Sequence, residues 1–383
     1  MKFGADFDAL IERFSARSET PIALAVSGGG DSLALLHLTA DWAARNQRSL
    51  LILTVDHGLR AGARAEADLV KQIAVKRGLE HRILTWAHPR KSQNAARKAR
   101  YQLLGQACQA AGAGCLLTGH TLDDVVETAF IRRRRKVRGG AEIGPVLAAP
   151  LPAWPAGRGI AVVRPLLQAT RADLRNLLNA RACVWAEDPS NLHTEYERVR
   201  VRQFLSRHPT FARIASKYVQ AAQIRRVELD RELAAQLKLV QVASDGLIYV
   251  PDHTCSAKLL RLLASCASGS DQAPRADVVR RMIAHLDTPG RRQTLGGAWF
   301  QRVQSGYKIG RDPGTKVLTE AEGLFDGRFA VAASRAEPVA AGAGFLVRHA
   351  TPPAGAWTEI ISDRIAHMTH CFDTPWYCPI EAN

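Results

Sequence analysis

The residues whose spacing carries most chemistry are Ser27-Gly28-Gly29-Gly30-Asp31-Ser32. They follow an apolar run, Ile22 to Val26, and precede Leu33, Leu35, Leu36 and Leu38 at helical spacing. The pattern predicts a strand, a glycine turn and a helix start. Glycines let the backbone come close to a ligand and take positive φ. The unpaired N–H groups of a helix start point outward and attract anions. Ser27 and Ser32 add hydroxyl donors. A carboxylate at Asp31 suits such a site when Mg²⁺ bridges it to phosphate oxygens. The expected ligand is therefore a Mg-bound polyphosphate, with Asp31 as the metal ligand. No Gly-Lys-Ser/Thr ending and no Gly-x-Gly-x-x-Gly occur here, so neither the mononucleotide P-loop nor a dinucleotide fold is supported.

A second constellation is Gly119-His120-Thr121-Leu122-Asp123-Asp124-Val125-Val126-Glu127-Thr128. Read as helix, His120 and Asp124 are four apart, Asp124 and Glu127 three apart, so all three share a face. Stacked like charges are destabilising unless a metal ion or a substrate ammonium neutralises them. Acids complementing a helix macrodipole account for Asp123 and Asp124, but not for Glu127 or His120. Between the two motifs lie Arg97 and Arg100, three apart. They either face the phosphate rim or form a solvated basic face.

These residues need elements to hold them. Strand-like runs recur about every thirty residues: Ile22–Val26, Leu50–Val55, Arg82–Trp86, Gly114–Thr118 and Ile160–Val163. Helical patterns at Ser32–Arg45, Arg64–Arg77, Ala95–Ala111 and Asp123–Arg135 alternate with them. The alternation predicts an α/β, doubly wound, mostly parallel five-stranded sheet. Ligands of such sheets sit at the carboxyl ends of the strands. The Ser27 loop, Asp56-His57 and Gly119-His120 all follow strands and so converge on one rim. By position alone, Asp56 and His57 are nucleotide-pocket candidates.

The stretch Gly139–Gly159 is rich in Pro and Gly and reads as a loop without regular structure. Arg171–Asn179 reads as a short helix, and Asp188-Pro189-Ser190-Asn191 as a turn. Ala212–Val240 reads as a long charged helix, with a boundary near Arg207–Thr210 where Pro209 interrupts. Leu259–Leu263 and Val278–Leu286 read as short helices. Thr294–Phe300 and Tyr307–Arg311 read as strands around a turn at Ser305-Gly306. After Arg335 no pattern is legible.

The 383 residues have room for two or three domains. No apolar run approaches the roughly 20 residues of a membrane span, and Met1 to Thr20 does not read as a secretory signal. Seven cysteines without a Cys-x-x-Cys pair fit reduced thiols in a cytoplasm. The net charge of +16 points to a phosphate-rich partner. Arg132 to Arg135, Lys136 and Arg138 form one basic block; Arg198, Arg200, Arg202 and Arg207 form another, followed by Arg225 and Arg226. RNA binding through them weakens steeply with salt.

The Ser-Gly-Gly-x-Asp-Ser loop resembles the pyrophosphate-loop (PP-loop) signature of the N-type ATP pyrophosphatases. Five further motifs follow in order: Val55-Asp56-His57-Gly58-Leu59-Arg60; Ala96-Arg97 with Arg100-Tyr101; Gly119-His120 with Asp123-Asp124 and Glu127-Thr128; Arg164-Pro165-Leu166-Leu167; and Asp188-Pro189-Ser190-Asn191. Together they resemble the bacterial tRNA(Ile)-lysidine synthetase family over roughly Pro21 to Arg202, with a weaker echo at Thr294-Leu295-Gly296-Gly297. The sequence departs from the family in Ile131–Gly140, which is unusually basic, and at Thr121, where a second histidine is common.

The resemblance implies a ligase. ATP adenylates the ring carbonyl of the wobble cytidine in a tRNA(Ile) with CAU anticodon, and L-lysine then displaces AMP. Ser27, Gly28, Gly29, Gly30, Asp31 and Ser32 would hold ATP, with Asp31 on Mg²⁺. Asp124 and Glu127 would receive the lysine ammonium. Arg97 or Arg100 would hold the lysine carboxylate or a phosphate, and His120 would contact phosphate or shuttle a proton. The implied organisation is a PP-loop catalytic domain over 1–208, a helical tRNA-binding region over 209–290, and a small mixed region over 291–383. Two alternatives use the same loop: a tRNA thiolase, disfavoured by the lack of Cys-x-x-Cys, and a synthetase amidating small acids. A third is a non-catalytic RNA-binding relative, disfavoured because Asp31, Asp124 and Glu127 are all present.

Overall fold

A computed structural model describes residues 5–14, 20–56, 58, 62–87, 89, 92–135, 145–154, 156–187, 195, 197–243, 246–252, 256–270, 273–286, 290–315, 324–325, 329–330 and 359–373. The chain divides into two compact units, Met1–Glu228 and Leu229–Thr374. Among the described residues, no helix is long and apolar enough to cross a membrane.

The first unit opens with α1 (Ala5–Phe14) and then alternates: β1 (Ile22–Ala25), α2 (Gly30–Arg45), β2 (Leu50–Asp56), α3 (Gly62–Lys76), β3 (Glu80–Thr85), α4 (Gln93–Ala110), β4 (Cys115–Thr118) and α5 (Leu122–Arg134). It continues through β5 (Ala148–Pro150), β6 (Ala161–Val163), α6 (Arg171–Ala180), α7 (Glu197–Arg207) and the start of α8 (Pro209–Lys238), which from Leu229 onward belongs to the second unit. The sheet order is β3-β2-β1-β4-β6-β5. Five strands are parallel, with Leu24 of β1 opposite both Ile52 and Leu117. Side chains alternate along each strand. Ala23, Ala25, Leu51, Leu53, Leu116 and Val162 pack with Tyr101 and Leu104 of α4. Leu24 and Ile52 point the other way and are equally buried. Both faces are covered, which explains why these strands read as continuous apolar runs.

The sixth strand, β5, corrects the expectation for Gly139–Gly159. It pairs antiparallel with β6 at the sheet edge. Three residues are too few for alternation to show, and an edge strand tolerates Pro150 because its missing N–H faces outward. Pro209 interrupts the chain as expected: α7 ends at Arg207 and a new helix begins. It is the first residue of α8, where the absent N–H has no intrahelical partner to lose. The turn expected at 188–191 lies outside the described residues.

The second unit contains a five-stranded antiparallel sheet: β7 (Gln241–Val242), β8 (Ile248–Pro251), β9 (Arg292–Leu295), β10 (Ala298–Val303) and β11 (Gly306–Arg311), ordered β7-β8-β11-β10-β9. Helices α9 (Ala257–Ser268) and α10 (Ala276–Ile283) share its core, as do Leu233 and Leu237. A two-residue ribbon pairs β12 (Leu324–Phe325) with β13 (Phe329–Ala330). The single strand expected at Thr294–Phe300 is instead β9 and β10 joined at Gly296-Gly297. Both glycines have positive φ, +61° and +79°, the requirement of a tight hairpin turn whose twist matches its strands. The unread tail contains α11 (Glu359–Asp373), which buries Ile361, Ile365, Met368 and Phe372 along one stripe.

Candidate active site

The loop after β1 has the geometry that its sequence demands. Gly28 has φ of +81°, and a Cβ there would meet the Glu66 carbonyl oxygen at 3.1 Å. Gly29 is extended and precedes α2, whose first residue is Gly30. So only one of the three glycines uses the left-handed region. The serine hydroxyls do not both point at a ligand. Ser32 Oγ donates to the Gly29 carbonyl (2.8 Å) and accepts from the Ser27 N–H (3.1 Å). Ser32 thus ties the loop shut, while Ser27 is exposed. The Ala186 N–H donates to the Gly28 carbonyl (3.0 Å), and Trp185 lies against Gly30.

The β4–α5 turn crowds this loop. A Cβ on Gly119 would lie 2.9 Å from the Asp31 carbonyl oxygen and 3.0 Å from Ser32 Cα. The two motifs, some ninety residues apart in sequence, therefore touch backbone to backbone.

Thr121 caps α5. Its N–H and Oγ1 both donate to Asp124 Oδ2, at 2.9 and 3.2 Å. This capping box satisfies the first-turn donors, and it explains why threonine serves at this position. His120 precedes the cap, so the helical spacing that joined it to Asp124 does not apply. Its Nδ1 instead shares a 2.9 Å hydrogen bond with Thr118 Oγ1. Burial, reinforced by the Arg164 charge and only opposed by Asp124, holds the His120 pKa down at about 3. The ring is neutral at physiological pH.

The acidic face is real, and arginines neutralise it. Arg171, the first residue of α6, reaches three carboxylates: Asp31 (3.3 Å), Asp124 (2.5 Å) and Glu127 (2.6 Å). Its backbone N–H donates to Asp123 (2.8 Å). Arg198 bonds Glu127 (2.8 Å) and Asp124 (3.0 Å), and Arg202 bonds Glu127 (3.0 Å). The Glu127 side chain is only 1% exposed. Burial pushes the Asp124 and Glu127 carboxyls up, but the guanidiniums outweigh it and hold both below the usual carboxylate range. At Asp31 burial wins, and the carboxyl is raised although Arg171 opposes. The requirement for a metal ion or a substrate ammonium, inferred from stacked like charges, is met by the protein's own cations.

Two members of the second basic block take part in this cluster. Arg198 and Arg202 reach the acids while remaining partly open to solvent. In the first block, Arg135 is paired with Glu197, while 136–138 lie outside the described residues. Arg97 and Arg100 are not among the acids. Arg97 stacks over the Tyr101 ring at 5.0 Å, and the half-buried Arg100 is lowered in pKa by burial. With the buried Arg164, whose Nη1 donates to the Val146 carbonyl (2.7 Å), they make a cationic wall whose Arg164 and Arg100 are felt at His120. Asp56 ends β2 and accepts from the Gly58 N–H (2.9 Å). His57 lies outside the described residues.

Arg171 was missed by sequence reasoning, yet it left a trace. An arginine in the first turn opposes the helix macrodipole, so it needs a strong reason to be there. Three carboxylates supply that reason.

A strand-end loop, a helix N-terminus and an adjoining acid–arginine cluster define a nucleotide-binding class of protein, and residues 2–208 match the family of PP-loop domains. A tRNA(Ile)-lysidine synthase of Hyphomonas neptunium is 37% identical over 308 residues, spanning 77% of this chain and 82% of that protein. Its counterpart from Caulobacter vibrioides is 33% identical over 340 residues, spanning 85% and 78%. That of Brucella anthropi is 33% identical over 359 residues, spanning 85% and 76%. The chain belongs to the tRNA(Ile)-lysidine synthase family of PP-loop proteins.

Proposed function

We infer that this chain is a tRNA(Ile)-lysidine synthase: a cytoplasmic ligase that forms a carbon–nitrogen bond between L-lysine and the wobble cytidine of a tRNA(Ile) with CAU anticodon. The observation that carries the reading is the meeting of the Ser27–Ser32 loop with the Asp124–Glu127 face through Arg171. One unit thereby holds a phosphate cradle beside carboxylates able to take an ammonium. The family membership supports the same reading.

In the first half-reaction the cytidine ring oxygen attacks the α-phosphorus of ATP, and pyrophosphate leaves. The Gly28–Gly30 backbone and the N-terminus of α2 receive the departing phosphates. The Asp31 side chain, 30% exposed at the mouth of the loop, fits Mg²⁺, which takes one or two protein carboxylates and fills its remaining positions with phosphate oxygens and water. When bound there, Mg²⁺ supplies charge compensation for the leaving pyrophosphate.

In the second half-reaction the lysine amine attacks the ring carbon. The carbon–oxygen bond breaks, and AMP leaves with the oxygen. Asp124 and Glu127 receive the ammonium and take up its proton before attack. Because guanidiniums occupy both carboxylates, lysine enters by displacing one. Arg198 and Arg202, 47% and 35% exposed, are the movable ones; Arg171, at 17%, is the fixed one. Arg97 or Arg100 holds the lysine carboxylate or a phosphate, and the neutral His120 offers a hydrogen bond at the same wall.

The test is to incubate the chain with ATP, Mg²⁺, L-lysine and the tRNA, then to weigh the wobble nucleoside. A gain of lysine less water, with one AMP per tRNA, is expected. AMP release without a heavier nucleoside would overturn the assignment.

A further inference from the structure

We propose that Phe130, Phe204, His208 and Phe211 form a platform on which unpaired bases of an RNA loop stack beside the acid–arginine pocket. The proposal rests on the RNA substrate inferred above and locates where that RNA is gripped.

The four rings form one cluster. Phe204 stacks on Phe130 (centroids 5.4 Å, 26° between planes) and on His208 (4.3 Å, 27°). Phe211 meets Phe204 and Phe130 edge-on at 5.6 and 5.8 Å. A core cluster of this size would be buried, yet Phe204 and Phe211 are 37% and 42% exposed. Along α8 the apolar surface continues through Ile214 (61%) and Tyr218 (55%), at positions i+3 and i+7 from Phe211. Exposed apolar area of this kind marks an interaction surface.

Charge selects the occupant. Beyond Arg202, from Gln203 to Val227, there are five Lys and Arg residues and no Asp or Glu. Exposed Arg207, Arg213 and Lys217 flank the rings, and exposed Arg133 and Arg134 follow Phe130 on α5. A second copy of the chain would bring like charges together, which costs affinity. A phosphate backbone carrying bases complements both the cations and the rings.

Position supports the same occupant. Phe130 lies three residues beyond Glu127 on α5, about 4.5 Å along the axis. Phe204 stacks on that same Phe130, so the rings adjoin the helix that carries Glu127. A base on the rings therefore neighbours the base whose carbon meets the lysine amine.

The experiment uses the full chain and an anticodon stem-loop with 2-aminopurine beside the wobble cytidine. Stacking on the rings is expected to quench its fluorescence. Phe204→Leu with Phe211→Leu keeps the apolar contact but removes the rings; the quench should vanish and Kd weaken roughly five- to hundredfold, with ATP affinity and the urea midpoint unchanged. Phe204→Trp should restore the quench. Wild-type crosslinking with 4-thiouridine in the loop should map to 204–218, which tests the platform even if the leucine variant unfolds. A folded leucine variant with unaltered quench and Kd, crosslinks confined to other segments, or a dimer that this variant dissociates would each overturn the platform. Loss of quench in the variant of a chain that makes no lysidine would retain the platform and remove the enzymatic reading instead.

Discussion

Arg171 Nη1 lies 2.6 Å from Glu127 Oε1, a bond between the first turn of one helix and the second turn of another, at a carboxylate almost fully removed from water. The same guanidinium touches Asp31 and Asp124, so the nucleotide loop and the acidic face share one counter-ion. Arg171→Met should lower unfolding free energy by about 3–5 kcal/mol, the usual cost of stranding buried charge, as read by urea denaturation. A loss below about 1 kcal/mol would show that Arg198 and Arg202 suffice alone. The carboxyls of Asp124 and Glu127 are depressed in the folded state. Their contribution is therefore complete above about pH 5 and disappears as pH falls through their lowered values.

His37 titrates with a related sign. It is buried in α2, and among the described residues neither ring nitrogen has a hydrogen-bond partner. Burial, aided by Arg77 and Arg181 and opposed by Asp41, lowers its pKa from 6.5 to about 4. Below 6.5 the unfolded chain binds a proton that the folded chain refuses, so stability falls with pH until about 4. The loss between pH 8 and 5 should be about 2 kcal/mol. His37→Leu should remove that slope without lowering stability at pH 8. An unchanged slope in the variant would assign the pH dependence to other groups.

Gly119→Ala should damage ATP chemistry from outside the loop. Its methyl would press on the Asp31 carbonyl oxygen from 2.9 Å, and displacements near 1 Å cost roughly a hundredfold in rate. ATP–pyrophosphate exchange is the readout, and tRNA binding should be retained. Exchange within about twofold of wild type would mean that the β4–α5 turn yields freely.

The two carboxylate roles separate kinetically. Asp31→Ala should abolish pyrophosphate exchange while tRNA affinity survives; retained exchange would remove Asp31 from the metal role. Glu127→Gln should raise the lysine requirement more than the ATP requirement. Equal effects on both would assign the acidic face to architecture rather than to lysine.

Much of this was legible in the sequence because local pattern decided it. Ile22–Val26 and Leu50–Val55 are apolar throughout since helices cover both faces, and the Ser27 and Gly119 motifs fall at strand ends. What escaped notice depends on distant partners. The spacing of Arg198 and Arg202 reads only as a basic RNA-binding patch, because Glu127, which both bond, lies some seventy residues earlier. Spacing alone groups His120 with the helix, because the cap at Thr121 is set by its bonds to Asp124, not by composition. Gly296-Gly297 lay inside an apparently continuous strand, although two consecutive left-handed glycines turn the chain back on itself.

Helix α5 carries the acids in its first turns and Phe130 further along, and a helix changes length only in increments. One inserted residue between Glu127 and Phe130 would advance the ring by about 1.5 Å and swing it about 100° around the axis. No small adjustment exists between those two states. Drift in this segment can therefore proceed by exchange of side chains, whereas gain or loss of a single residue would uncouple grip from chemistry at once.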